Sequence, residues 1–206
     1  MAALLSNVLA LVLVGVAPTL AQHNAAEATM TAAEKAEVIE LLRKSEQELE
    51  QAIAGLTDAQ CNFKPGPDRW SVGEVVEHIV LADALLFETA VKSLDNAPNA
   101  TWETVTGKTT LLKKALPDRS RKVDAPPSIK PQHALTRAAL VARFKDQRAK
   151  TLAYVRDTEK PLKLHTSANP FFGDLNAHQW LLYIPLHHIR HNQQIAEVKA
   201  SPGFPK

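Results

Sequence analysis

A single cysteine, Cys61, stands among the 206 residues, so neither an internal disulfide nor a multi-cysteine metal site can form within the chain. A reactive thiol is expected beside a histidine or a basic side chain. Cys61 has no such neighbour in sequence and reads as a buried or incidental residue. Charge of one sign is also scarce. The formal net charge is +2, and no Lys/Arg stretch with interleaved aromatics suggests a nucleic-acid surface. No internal repeat, no low-complexity block and no stretch of convincing period-2 alternation occurs, so the pattern offers nothing to a β-sheet architecture.

Residues 1–21 lack charged side chains altogether. They hold a compact apolar run, Val8-Leu9-Ala10-Leu11-Val12-Leu13-Val14-Gly15-Val16-Ala17, then Pro18 and a small-residue end, Thr19-Leu20-Ala21. The run is short for a membrane-spanning helix. Its layout is that of a secretory signal, although the usual basic residue ahead of the run is missing. The expectation is export, periplasmic or extracellular, with cleavage near Ala21; an uncleaved anchor is the alternative. Residues 22–30 form a polar, Ala-rich spacer, and residues 31–206 are long enough for one domain with one core. Asn99-Ala100-Thr101 is a glycosylation triplet, relevant only in a eukaryotic secretory pathway.

What is present is helical. Thr31 with Glu34, and Ser71 with Glu74, are capping boxes that start two helices. The first places Val38, Leu42, Leu49 and Ile53 on one face and stops near Gly55. The second runs to about Leu94 with Val75, His78, Ala82, Leu85 and Leu86 on its apolar stripe. Between them Cys61-Asn62-Phe63-Lys64-Pro65-Gly66-Pro67-Asp68-Arg69 reads as a loop. From residue 95 to about 136 the chain is Pro-rich, with room only for a short helix over residues 110–116. A connection of that length is functional or mobile. Its basic stretches, Lys113-Lys114 and Arg119-Ser120-Arg121-Lys122, read as solvated loop faces. A third helix over residues 136–157 packs through Leu140, Phe144, Gln147 or Arg148, Leu152 and Val155. After a loop over residues 162–176 comes the last helix, interrupted by Pro185, which should kink it. Four long helices joined by long irregular connections make an all-α four-helix bundle, a fold that builds metal sites from facing helices.

Two apolar stripes carry imidazole where a bundle wants an aliphatic residue. On the last helix Trp180, Ile184, His187, His191, Ile195 and Val198 share a face, and the i, i+4 spacing lets His187 and His191 converge on one point. His78 on the second helix is the candidate third ligand. Buried imidazoles need partners for their ring nitrogens; one divalent cation satisfies three, while separate hydrogen bonds to neighbours are the alternative. Glu74 and Gln194 are within helical reach of the ligand rings, Glu74 being the better fit to its cap. Glu77 and His188 are turned about 100° from the neighbouring ligands. His188 reads as a surface or packing residue rather than a proton shuttle, and Arg190 as a structural partner of an acidic residue on another helix, with an anionic substrate as its alternative.

Trp70-Ser71-x-Gly73-Glu74-x-x-x-His78-Ile79, then Phe172-Gly173-x-Leu175, then His187-x-x-Arg190-His191-x-x-Gln194-Ile195 resemble the motifs of the DinB superfamily in order and placement. The resemblance spans nearly the whole chain after residue 30. It implies a DinB-like four-helix bundle whose divalent metal is held by His78, His187 and His191. Zinc is the first expectation for such a set, with nickel, iron and manganese open. It further implies a metal-dependent hydrolase using metal-activated water. A thiol S-transferase, for which an exported location is a departure, and a non-catalytic metal- or ligand-binding bundle are the alternatives. The partners implied are an unidentified small-molecule substrate and, optionally, a second copy in a homodimer, with no nucleic acid and no membrane once the leader is removed.

Overall fold

Capping decides where the long helices begin. The computed structural model describes residues 25–133 and 136–206; the leader expected over residues 1–21 lies outside them. Helix α1, Ala32–Ile53, starts at the Thr31/Glu34 capping box, and α2, Val72–Lys92, at the Ser71/Glu74 box. Helix α3, Arg137–Asp157, is capped by the Thr136 hydroxyl. Helix α4, Ala177–Lys199, starts at a box made by Asn176 and Gln179. In each box the side chain at the cap accepts a hydrogen bond from the N3 amide, and the N3 side chain accepts one back, satisfying donors the first turn would leave bare.

The four helices close a ring in the order α1–α4–α2–α3: α4 packs on α2 and α1, and α3 packs on the same two. Consecutive helices α1 and α2 are therefore diagonal, as are α3 and α4. Only long connections can join diagonal partners, which accounts for the extended loops. Of the pairings, α2 with α4 is the most extensive, and it brings the stripe bearing His78 against the stripe bearing His187 and His191. Helix α4 runs through Pro185 without a break and buries it. The core is formed by the apolar faces of all four helices, with Leu42, Ile79, Leu181, Leu182 and Ile184 fully enclosed. Packing begins ahead of α1, at Ala28 and Met30, which are buried. Among the described residues no helix is long and apolar enough to cross a membrane.

Four sequence-based expectations are corrected. The Pro-rich connection, expected to have room for only one short helix, holds two, Trp102–Thr106 and Thr109–Ala115. The loop before α4 contains a two-stranded antiparallel hairpin, β1 Thr166–Asn169 with β2 Gly173–Asn176. Four-residue strands are too short to show an alternation. The hairpin's turn is shaped by Asn169, whose Oδ1 accepts from the amides of Phe171 and Phe172, and by Gly173 at φ 65°. The connector after α1 opens with a short helix, Asp58–Asn62, under a Thr57/Gln60 capping box that places Cys61 in the core. Leu85, expected on the buried stripe of α2, is 40% exposed. It lies beside Leu86, about 100° round the helix, where no other helix covers it.

His178, in the first turn of α4, is buried, and neither ring nitrogen has a partner among the described residues. Burial pushes its pKa down to about 4. Between that value and the ordinary 6.5 the unfolded chain binds a proton that the folded chain refuses. This contribution to stability is therefore fully present above pH 6.5 and is lost as pH falls toward 4, an effect of about 3 kcal/mol. Urea denaturation at pH 7.5 and 4.5 should show a smaller acid loss in His178→Leu than in the natural protein. Equal losses would assign the acid sensitivity to other groups.

Candidate metal centre

His78 sits two turns into α2, while His187 and His191 lie one turn apart on α4, all on the faces that the α2–α4 packing joins. Their Nε2 atoms converge. His78 lies 3.2 Å from His187 and 3.2 Å from His191, and His187 lies 3.1 Å from His191. Hydrogen-bond accounting fixes what two of those atoms carry. His78 Nδ1 lies 2.8 Å from the Ile129 carbonyl, which can only accept, so Nδ1 holds the proton and Nε2 a lone pair. His191 Nδ1 lies 2.8 Å from Gln194 Oε1, and Arg119 Nη1 donates to the same oxygen at 3.3 Å. An arginine donor identifies that atom as the acceptor, so His191 Nε2 also carries a lone pair.

Two lone pairs thus face each other at 3.2 Å. A proton on His187 Nε2 can be given to one of them, leaving the other unsatisfied. A divalent cation satisfies all three. The near-equilateral triangle has its centre roughly 1.8 Å from each nitrogen, inside the ~2.0–2.1 Å of a zinc–imidazole bond. The spacing of the three nitrogens is thus compatible with a shared divalent ion, which His78, His187 and His191 would hold. His78 and His191 are buried, and these three residues form a group of possible metal-ligating side chains among the described residues. His187 is half-buried because its ring lines a cleft, yet its Nδ1 is enclosed and has no partner among the described residues.

Burial is the first cause that lowers the pKa of each ring. His187 and His191 are held well below the ordinary range, with the neighbouring imidazoles adding to the effect. His78 is lowered less, opposed by its bond to the Ile129 carbonyl. All three are neutral at physiological pH, the form that binds metal.

The cleft above the triad has a volume of about 1190 Å³. Trp70 lies over the His78 ring at 4.8 Å between centroids, and Tyr183 is 6.1 Å from His187. Burial pushes the Tyr183 hydroxyl up to about 12, so it keeps its proton and serves only in hydrogen bonding.

The other expected residues separate clearly. Glu74 belongs to its cap, accepting from the Ser71 amide at 2.7 Å, and pairs with Lys64 at 2.9 Å. Glu77 points away from the triad and accepts from the His133 amide. Gln194 is the outer partner of His191. Cys61 takes no part. Arg190 donates to the carbonyls of Asp118 and Arg121, so its structural partners are loop carbonyls rather than an acidic residue on a helix. Arg119, read as part of a solvated face, instead chelates Glu197 at 2.7 and 2.8 Å and steadies Gln194.

His188 is not on the surface. It is fully enclosed, its Nε2 is 2.9 Å from Asp83 Oδ1, and Arg148 Nη2 is 3.1 Å from Asp83 Oδ2. His188 Nε2 also lies 3.1 Å from Arg148 Nη2, so the ring sits between the carboxylate and the guanidinium. Asp83 was missed by reading the sequence; the available signal was Arg148, a charge on the apolar stripe of α3.

Removing an outer partner of a metal-binding histidine lowers affinity by about 10–100-fold. Gln194→Ala should show a loss of that size for zinc in competition with a chromogenic chelator. Unchanged affinity would mean that Gln194 does not orient His191.

Comparison with known proteins places this geometry in context. A family model described as the DinB superfamily matches residues 41–195. The uncharacterized protein YuaE of Bacillus subtilis (strain 168) is 26% identical over 154 residues, which is 71% of this chain and 88% of that protein. Among solved structures, YfiT from Bacillus subtilis, described as a probable metal-dependent hydrolase with an unusual four-helix bundle topology, aligns over 86% of this chain and 92% of its own. The TM-score is 0.50 at 16% sequence identity, a likeness of fold.

Proposed function

The chain belongs to the DinB superfamily, and from that premise we propose that it is an exported metal-dependent hydrolase acting on a small molecule, with one divalent ion held by His78, His187 and His191. The observation that carries this reading is the convergence of three Nε2 atoms within 3.2 Å, two of them fixed as lone pairs by Ile129 and Gln194. The description of YfiT as a probable metal-dependent hydrolase supports it. The uncharged apolar run of residues 8–17 supports export.

An ion in such a site, zinc in the first instance, supplies a Lewis acid and lowers the pKa of water toward about 7. The protein's own groups prepare the site for it. The Ile129 carbonyl and the Gln194 amide orient two ligand rings. Trp70 packs against the His78 ring at 4.8 Å between centroids, supporting it from the cleft side. Tyr183, protonated throughout the working range, offers hydrogen-bonding capacity beside His187 rather than a base. Glu74 is committed to its cap and to Lys64 and is not free to move a proton.

Purified protein loaded with zinc, nickel, iron or manganese should be screened against ester, amide and phosphoester substrates, with and without small thiols. Thiol-independent hydrolysis that disappears in His187→Ala is the expected result. A conjugate formed only with thiol would assign a transferase. Bound metal with no turnover would leave a ligand-binding bundle. Intact mass of the exported protein tests the leader: the chain should begin near Gln22, and a cytoplasmic chain retaining Met1 overturns export.

A further inference from the structure

Four large apolar side chains are notably exposed among the described residues: Leu85 at 40%, Leu111 at 54%, Val123 at 50% and Phe171 at 56%. Three of them, Leu85, Val123 and Phe171, line the one cleft that also reaches the histidines. They come from α2, the Pro-rich connection and the β1–β2 turn, which are distant in sequence, so only the fold gathers them. Apolar side chains left uncovered around a concave site mark a ligand surface. A cleft of about 1190 Å³ is also far larger than an ion and its waters require.

The polar lining has a definite sign. Seven Lys or Arg side chains face five Asp or Glu. Three of the cations sit on a carboxylate, Lys64 on Glu74 and Arg69 and Arg119 on Glu197; Arg121, Lys122, Lys130 and Arg190 form no ion pair among the described residues. Of these four, Arg190 is the one carried by α4, next to His191. Its guanidinium meets only the carbonyls of Asp118 and Arg121, and among the described residues no carboxylate lies within ion-pair distance of it. The Asp118 carboxylate is turned onto the amide and hydroxyl of Ser120. Two carbonyls hold the Arg190 fork in place without neutralising it. Arg190 stands three residues after His187 on α4, so its side chain emerges on the same side of the helix, beside the triad.

We propose that the cleft takes an amphipathic anion, a carboxylate-bearing acyl ester or amide, with its apolar body against Leu85, Val123 and Phe171 and its carboxylate on Arg190. The inference rests on the hydrolase reading only for what happens to the ligand after binding. The carboxylate matches the planar fork of an arginine, and the apolar tail matches a wall that water otherwise covers at a cost.

Calorimetric titration of the natural protein with N-octanoylglycine, its methyl ester and octyltrimethylammonium tests this, with the protein stripped by chelator so that no ion attracts the carboxylate. The acid should bind about tenfold or more tighter than the ester, and the cation weakest. Arg190→Gln should bring acid and ester within about twofold of each other, with ester binding unchanged. Phe171→Ser, on an exposed turn, should weaken acid and ester alike by about fivefold, and Leu111→Ser neither. Acid and ester binding equally to the natural protein overturns the proposal, even if Arg190→Gln fails to fold; so does Phe171→Ser binding both as the natural protein does. Turnover is measured separately on metal-loaded protein. Preferential binding of the acid without cleavage of any ester or amide leaves the ligand class standing and overturns hydrolysis. Cleavage of neutral esters with no preference for acids does the reverse.

Discussion

Replacing His187 by Ala should remove divalent-metal binding almost entirely. His187 closes the triangle of Nε2 atoms, and without it only two of the three ligand nitrogens remain, 3.2 Å apart. The loss of affinity should exceed about a hundredfold, beyond what removal of an outer partner costs. His78→Ala and His191→Ala should behave in the same way by elemental analysis, whereas His188→Ala should keep the metal because its ring faces Asp83 and not the triad. A His188→Ala protein that loses metal while His187→Ala retains it would place the site one residue away. Metal retention should also extend to lower pH than for exposed histidines. Burial first, then the adjoining rings, holds His187 and His191 neutral well below the ordinary range. Protons therefore begin to compete for the site only well below pH 6.5.

The largest stability effect should come from Arg148. Its side chain is 1% exposed, that of Asp83 2%, and the two ion-pair at 3.1 Å between α3 and α2. Arg148 also donates to the Leu42 carbonyl of α1 at 3.1 Å, while His188 joins from α4. One guanidinium on α3 thus reaches the other three helices directly, its Nη2 lying 3.1 Å from His188 Nε2 as well as from Asp83. Arg148→Met leaves a buried carboxylate with a single neutral donor, and breaking such a pair costs about 3–5 kcal/mol. Urea denaturation should show that loss. The triple variant Asp83→Leu, Arg148→Met, His188→Leu should recover much of it, because no charge is then left buried. An Arg148→Met protein within about 1 kcal/mol of the natural one would show that Asp83 is not dependent on this partner.

The local features of this fold were legible in the sequence for a physical reason. A capping box joins residues three apart, so Thr31 with Glu34 and Ser71 with Glu74 specify two helix starts without help from the rest of the chain. The Asn176/Gln179 box that starts α4 is of the same local kind. The apolar stripes follow from helical period, and the imidazoles interrupting them at positions 78, 187 and 191 are what a buried site on facing helices looks like in one dimension. Leu85 was misplaced because neighbouring positions on one helix share the stripe's edge, and only the packing partner decides which of them is covered.

What the sequence by itself determined is therefore the helical class, the starts of α1 and α2, and which three histidines share the facing stripes of α2 and α4. The tertiary structure alone decided how those histidines are equipped. His78 takes its orienting acceptor from Ile129, 51 residues away, and Gln194 its support from Arg119, 75 residues away. Asp83 meets Arg148 across 65 residues. No periodicity encodes such pairs, because each depends on the ring order of the helices, set by the sum of their buried faces, and on where a Pro-rich connection crosses them. A helix can place a nitrogen on its inner face by counting residues; what that nitrogen meets is settled by the rest of the fold.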